Sequence, residues 1–290
     1  VMKVSYAELL RITSTNLSFT STSSDINVEA FEPKDTVSIA GSMYFVAKNT
    51  ITLKEPVVYK GMVASAATIN VKAPINVTDY HLMFEATNLN VDPGLRVHSG
   101  SQNIYVKAEM GKSVGYASIG MPATWHSAGD ISFETVVTMS GPGSLILHSD
   151  TDNDASGTIS FSHQSGLISD GTPASLLLTC ADIVVDSNIA LGATNLTIET
   201  SNYDNSMLRI GSGVGTGGCH LSDVELDRIT TTSSLSLGSL QTDYIVIDGA
   251  THADTPTDVF IRAMQDIVFS GAASSFLTNL AKTDSAWTSP

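Results

Sequence analysis

Leu82-Met83-Phe84-Glu85-Ala86-Thr87-Asn88-Leu89-Asn90-Val91 returns, 107 positions later, as Ile189-Ala190-Leu191-Gly192-Ala193-Thr194-Asn195-Leu196-Thr197-Ile198. Each stretch closes on the same beat: apolar, polar, apolar. That beat runs the length of the chain. It appears at Leu17-Ser18-Phe19, Ile26-Asn27-Val28, Ile51-Thr52-Leu53, Ile104-Tyr105-Val106, Ile131-Ser132-Phe133, Ile159-Ser160-Phe161, Leu208-Arg209-Ile210 and Leu235-Ser236-Leu237. A period of two buries one face of a short strand and wets the other.

The connections decide how such strands associate. Ala73-Pro74 and Asp186-Ser187-Asn188 are too short for a crossover helix. They also lack the Asn-Gly and Asp-Gly pairs of two-residue hairpins. Short strands turned by short corners fit the coils of a solenoid, each strand bonding to its counterpart one coil above. A row of β-sandwich domains would need longer Greek-key connections. The expected fold is therefore all-β: a parallel β-solenoid, right-handed. At roughly 20 residues per coil it would have about 14 coils and form a rod of about 65–70 Å. No convincing helical stripe is present; Tyr6–Arg11 and Phe276–Lys282 come nearest.

A second echo aligns Glu8-Leu9-Leu10-Arg11-Ile12-Thr13 with Glu225-Leu226-Asp227-Arg228-Ile229-Thr230, at about twice the first offset. The two echoes divide a single continuous solenoid, 1–290, into repeats near 5–111, 112–221 and 222–290, the last cut short. This reads as a piece of something longer, or a subunit whose ends stack on neighbours.

Composition agrees with a β surface made of small polar groups. The 290 residues include 38 Ser and 31 Thr, yet only 15% are charged, against about 25% in ordinary domains. The net charge of −15 argues against a nucleic-acid partner, which needs a basic face. No run of 18 apolar residues is present, so no membrane insertion by a helix is expected. Cys180 and Cys219 allow one bridge or two buried thiols.

Several pieces carry a resemblance. They are Gly143-Ser144-Leu145-Ile146-Leu147, Asp150-Thr151-Asp152-Asn153-Asp154, Gly157-Thr158-Ile159-Ser160-Phe161, Ala181-Asp182-Ile183-Val184-Val185, Ser222 through Gly238, and Tyr244 through Gly249. From about Ser140 to Phe276 the chain resembles β-helical repeats of very large secreted or surface proteins of bacteria and microalgae. Those are akin to filamentous-haemagglutinin-type and autotransporter-passenger β-helices. The resemblance covers about half the chain closely, through low-complexity motifs. It implies an extracellular or cell-surface fibre, coat or adhesin, with neighbouring copies or other filament subunits as partners. The irregular stretch Ala117–Gly129, with Trp125 and His126, departs from the pattern.

Candidate chemistry is sparse. Asp150, Asp152 and Asp154 alternate, as at the start of a calcium loop. The Gly expected at position six is Ala155 and position twelve is Phe161, so an EF-hand is excluded. Asp248, Asp254 and Asp258 form a weaker set. Asn16, Asn76 and Asn195 lie in glycosylation sequons, and their apolar neighbours should point them outward. The seven histidines look scattered, none at metal-ligand spacing. Gly211–Gly218 superficially resembles a phosphate loop, but no βαβ unit surrounds it. The expectation is a structural, non-enzymatic protein with no cofactor beyond calcium. The alternatives are an adhesin that binds glycans or surfaces, and a carbohydrate-active enzyme on a β-helix. Tyr44, Trp125, Tyr203, Tyr244 and Trp287 are candidate lateral contacts, with core positions or surface scatter as equal alternatives.

Overall fold

The computed structural model describes residues 12–29, 39–108, 115–162, 165–172, 174–201, 206–212, 218–252, 258–270, 275–276 and 281–283. They form a parallel β-solenoid with three faces. Every strand pair between coils is parallel and in register.

The first face climbs through Leu17–Ser21, Ser42–Ala47, the start of Gly61–Val71, the start of Leu82–Val91, Ile104–Lys107, Ile131–Phe133, Thr158–Phe161 and Asp182–Val185. The second face takes the ends of the two long strands, then Tyr116–Gly120, Val136–Ser140, Gly166–Ser169, Ile189–Ala190 and Ile229–Thr230. The third face runs from Val57–Tyr59 through Ile75–Val77, Arg96–Ser99, Ala123–Ser127, Gly143–His148, Ala174–Cys180, Asn195–Thr200, Ser234–Leu237 and Asp258–Ile261 to Ala281–Thr283.

Alternation does what the sequence predicts. Ile131 and Phe133 are fully buried while Ser132 is not, and the same holds at Ile159-Ser160-Phe161 and Leu235-Ser236-Leu237. One apolar core runs unbroken from Val28 to Ile261. Each fully buried Leu, Ile or Phe contributes about 1.5–3 kcal/mol. Rings stack along the rod axis: Phe19 on Phe45 at 5.6 Å, and Phe133 on Phe161 at 5.4 Å. Trp125, for which a lateral contact and a core position were both open, is fully buried between Phe84 and Phe133. The supposedly irregular stretch around it forms two regular strands, Tyr116–Gly120 and Ala123–Ser127. Tyr44 and Tyr244 do lie outside the core, whereas Tyr203 and Trp287 fall outside the described residues.

Most coils are longer than the expected 20 residues. Phe19, Phe45, Ala64, Phe84, Val106, Phe133, Phe161 and Val185 hold equivalent inward positions on the first face, 19 to 28 residues apart. Corner loops, such as the one from His148 to Thr158, take up the difference. With Cys219–Leu221, Met207–Ile210, Tyr244–Ile247 and Asp266–Phe269 stacked above these eight strands, the first face has twelve rungs among the described residues, a span of about 50–55 Å.

The stretches matched at the offset of 107 occupy different faces. Leu82 lies on the first face and Ile189 on the second; Leu89 lies on the second and Leu196 on the third. Apolar-x-apolar strands look alike on all faces, so sequence similarity did not distinguish them. The repeat boundaries near 5 and 111–112, and the helical candidate Tyr6–Arg11, lie outside the described residues. The other helical candidate, Phe276–Lys282, has strand at both ends, Ser275–Phe276 and Ala281–Thr283.

Above Asp182–Val185 the first face breaks order. Met207–Ile210 comes next in sequence, but Cys219–Leu221 pairs with it and packs against Asp182–Val185. The later strand therefore occupies the earlier rung. Side chains replace part of the ladder at this step. The Asp182 carboxylate accepts from the His220 N–H at 3.1 Å, and that of Glu225 from the Val185 N–H at 3.1 Å. A one-turn helix, Asp223–Leu226, follows. Ser222 and Glu225 close its N-terminus with a capping box, and Leu226 plugs it into the core.

Candidate functional site

The third face assembles a histidine column. Val97, Trp125 and Leu147 point inward, which turns their neighbours His98, His126 and His148 outward. Register stacks them in one file: Asn76, His98, His126, His148, Thr179, Glu199. Ring centres lie 6.5 Å apart for His98 and His126, and 5.4 Å for His126 and His148, edge to face in both cases. All three rings are half-buried. His148 Nε2 and Asn76 Oδ1 are buried without a hydrogen-bond partner. Thr179 donates to Glu199 at 2.9 Å. At the lower end Asn76, Arg96, His98, Thr124 and His126, with Pro56 and Pro74, line a groove of about 350 Å³.

The serines after the histidines explain the precision of the column. Ser99, Ser127 and Ser149 are fully buried at the corner. Ser99 and Ser127 both donate to the Gln102 carbonyl at 2.7 Å, and Ser149 donates to that of Gly157 at 3.0 Å. The tripeptides Val97-His98-Ser99, Trp125-His126-Ser127 and Leu147-His148-Ser149 are thus one structural unit repeated on three coils. Treating the histidines as scattered missed this. The signal was the shared apolar-His-Ser tripeptide, hidden by unequal coil lengths.

Burial holds His126 below the usual imidazole range, helped by His148, His98 and Arg96. Burial also lowers His148, against the opposing pull of Glu199 and Asp150. The folded state therefore resists protonating this column. Its stabilising contribution is present above the unfolded value, about 6.5, and is lost as pH falls through the lowered folded values. Asp150, raised mainly by burial, acts with the opposite sign. The thermal midpoint should fall between pH 7.5 and 5.5, and fall less in the double variant His126→Gln, His148→Gln. An identical slope in both proteins would assign the effect elsewhere.

The acidic loop lies above the column. Asp150, Asp152 and Asp154 can each place one carboxylate oxygen within 4.8 Å of the others. They do not do so by strand alternation. Asp150, Asn153 and Ala155 have left-handed backbones, φ 60°, 58° and 65°, which coil the segment. Asp150 is fully buried and accepts from the Ala155 N–H at 3.1 Å and from the Ser201 hydroxyl. Asp152 and Asp154 are exposed. An all-oxygen set of this kind suits a hard cation such as calcium. Asp254, of the second acidic set, lies outside the described residues.

Of the sequon residues, Asn16 and Asn195 face solvent, while Asn76 is half-buried at the groove. The amide oxygen of Asn16 accepts from the Ser42 N–H at 2.8 Å, and that of Asn195 from the Ser234 hydroxyl at 2.7 Å. Cys180 and Cys219 are buried free thiols, and the hydrogen bond that the Cys219 thiol donates to Cys180, followed by burial, pushes the Cys219 thiol up. Only the ends of Gly211–Gly218 are described, and Gly211 bonds to the Leu221 carbonyl at 3.0 Å as part of the rung exchange. No protein-family description, characterised protein or solved structure matches the chain.

Proposed function

We propose that the chain is a segment of an extracellular structural β-solenoid that contributes to a surface filament, coat or appendage. The unbroken core from Val28 to Ile261, carried by in-register parallel ladders, supports this reading most directly. Such a rod is stiff along its axis because every coil is bonded to the next. Its outer columns of Ser, Thr and Asn suit contact with water, glycans and neighbouring copies. The Asn70 and Asn90 side chains, for example, bond from rung to rung at 2.9 Å. Asn16, Asn76 and Asn195 would carry glycans, and Asp150, Asp152 and Asp154 would hold calcium. The role is non-catalytic. Partners are neighbouring copies or other filament subunits, without nucleic acid.

Electron microscopy of the purified protein in millimolar calcium tests this. Rods of about 50 Å that associate end to end or side by side are expected, with a lower thermal midpoint once calcium is chelated. Isolated particles at every concentration tried would sink the reading. The groove beside Arg96 and His98 favours one second reading, an adhesin. Specific glycan binding by unassociated particles would support it instead.

A further inference from the structure

We propose that His126 and His148, with His98 one rung below, bind a single divalent cation of borderline softness, of the Zn²⁺, Cu²⁺ or Ni²⁺ class. The spacing carries the argument. An ion held at about 2.0–2.1 Å by two imidazole nitrogens at the tetrahedral angle sets the ring centres about 5 Å apart. His126 and His148 stand at 5.4 Å. Parallel register fixes this separation, because adjacent rungs lie about 4.8 Å apart along the rod. The rings meet edge to face, at 79°, so at least one of them must turn for both to present a nitrogen to a shared ion. His98 is farther away, at 6.5 Å, and the three rings as they stand are not gathered around one point; His98 would become the third ligand only after its side chain turns toward the pair.

Two further observations point the same way. The buried Nε2 of His148 has no hydrogen-bond partner, and a metal bond would satisfy it. The charged groups that act on the column are Arg96 at its lower end and Glu199 and Asp150 at its upper end. Arg96 repels a cation and the carboxylates attract it, so the ion belongs between His126 and His148. Imidazole suits this class of metal, while calcium prefers the all-oxygen loop.

The test is calorimetric titration of the chelator-treated full chain with ZnCl₂, repeated on variants. One equivalent of Zn²⁺ should bind. Affinity should drop at least about tenfold in His126→Gln and in His148→Gln. It should be unchanged in His81→Ala, on the first-face side, and in the pair Asp152→Asn, Asp154→Asn. Three outcomes overturn the proposal: no binding, binding unaffected by both glutamine variants, or loss confined to the aspartate pair. Circular dichroism checks that each variant keeps its β spectrum. Should a glutamine variant misfold, Cu²⁺ bound to the unaltered chain should show nitrogen couplings in electron paramagnetic resonance. Their absence also overturns the proposal.

Discussion

Trp125→Ala is expected to destabilise the solenoid by about 3–5 kcal/mol. The indole is fully buried, 6.5 Å from the ring of Phe84 and 5.6 Å from that of Phe133. Phe133 in turn stacks on Phe161. Removing the indole empties a volume that three neighbouring coils share. In-register ladders hold the flanking strands apart, so the hole cannot collapse. Trp125 Nε1 has no hydrogen-bond partner, so the loss is one of packing alone. Trp125→Phe should therefore recover most of the stability, since it refills the space and removes an unsatisfied donor. Because coils interact mainly with their neighbours, the alanine variant should also weaken the coupling between the two ends of the rod. Urea unfolding followed by circular dichroism should show a lower midpoint and a broadened or split transition. A loss below about 1 kcal/mol would mean that the core tolerates voids, contrary to this account.

Gly211→Ala is the second large effect, roughly 3 kcal/mol or more. Gly211 has a φ of +107°, which side-chain-bearing residues avoid. An added Cβ would also meet the Asp248 carbonyl oxygen at 2.2 Å and the Ala250 nitrogen at 2.8 Å, both backbone atoms of the next coil. Gly94 separates the two costs. Its φ is +81°, but nothing lies within 4 Å of its Cβ position. Gly94→Ala should cost only the conformational part, about 1 kcal/mol. Equal midpoints for the two variants in the same urea experiment would show that the close approach at Gly211 carries no weight.

Much of the fold was legible because one physical rule governs most strands. At Ile131-Ser132-Phe133 or Leu235-Ser236-Leu237, alternation alone separates core from surface, and the structure agrees residue by residue. Coil length was not legible. Corner loops vary freely, since only the strands must stay in register, and the outer columns cannot be assembled without that register. This is why the histidine column escaped notice although each of its tripeptides was in plain view. The burial of Asp150 was hidden for a different reason: three left-handed residues, Asp150 among them, remove its segment from strand geometry, so alternation says nothing about where its carboxylate lies. The capping box Ser222-Asp223-Val224-Glu225 was readable, but a one-turn helix leaves no periodic stripe to draw attention to it. The exchange of Cys219–Leu221 with Met207–Ile210 leaves no local trace, because each reads as an ordinary strand.

That exchange has a consequence for how the molecule is made. A solenoid emerging from a ribosome or a secretion pore can in principle grow like a ratchet, each new strand docking on the last free edge. Here the free edge of Asp182–Val185 must be left vacant while Met207–Ile210 passes it, and filled only once Cys219–Leu221 has emerged. Growth in strict chain order would seat Met207–Ile210 one rung too low and leave its successor no place. The rod therefore contains a point at which assembly has to wait for chain not yet delivered, and vectorial folding gives way to a concerted step.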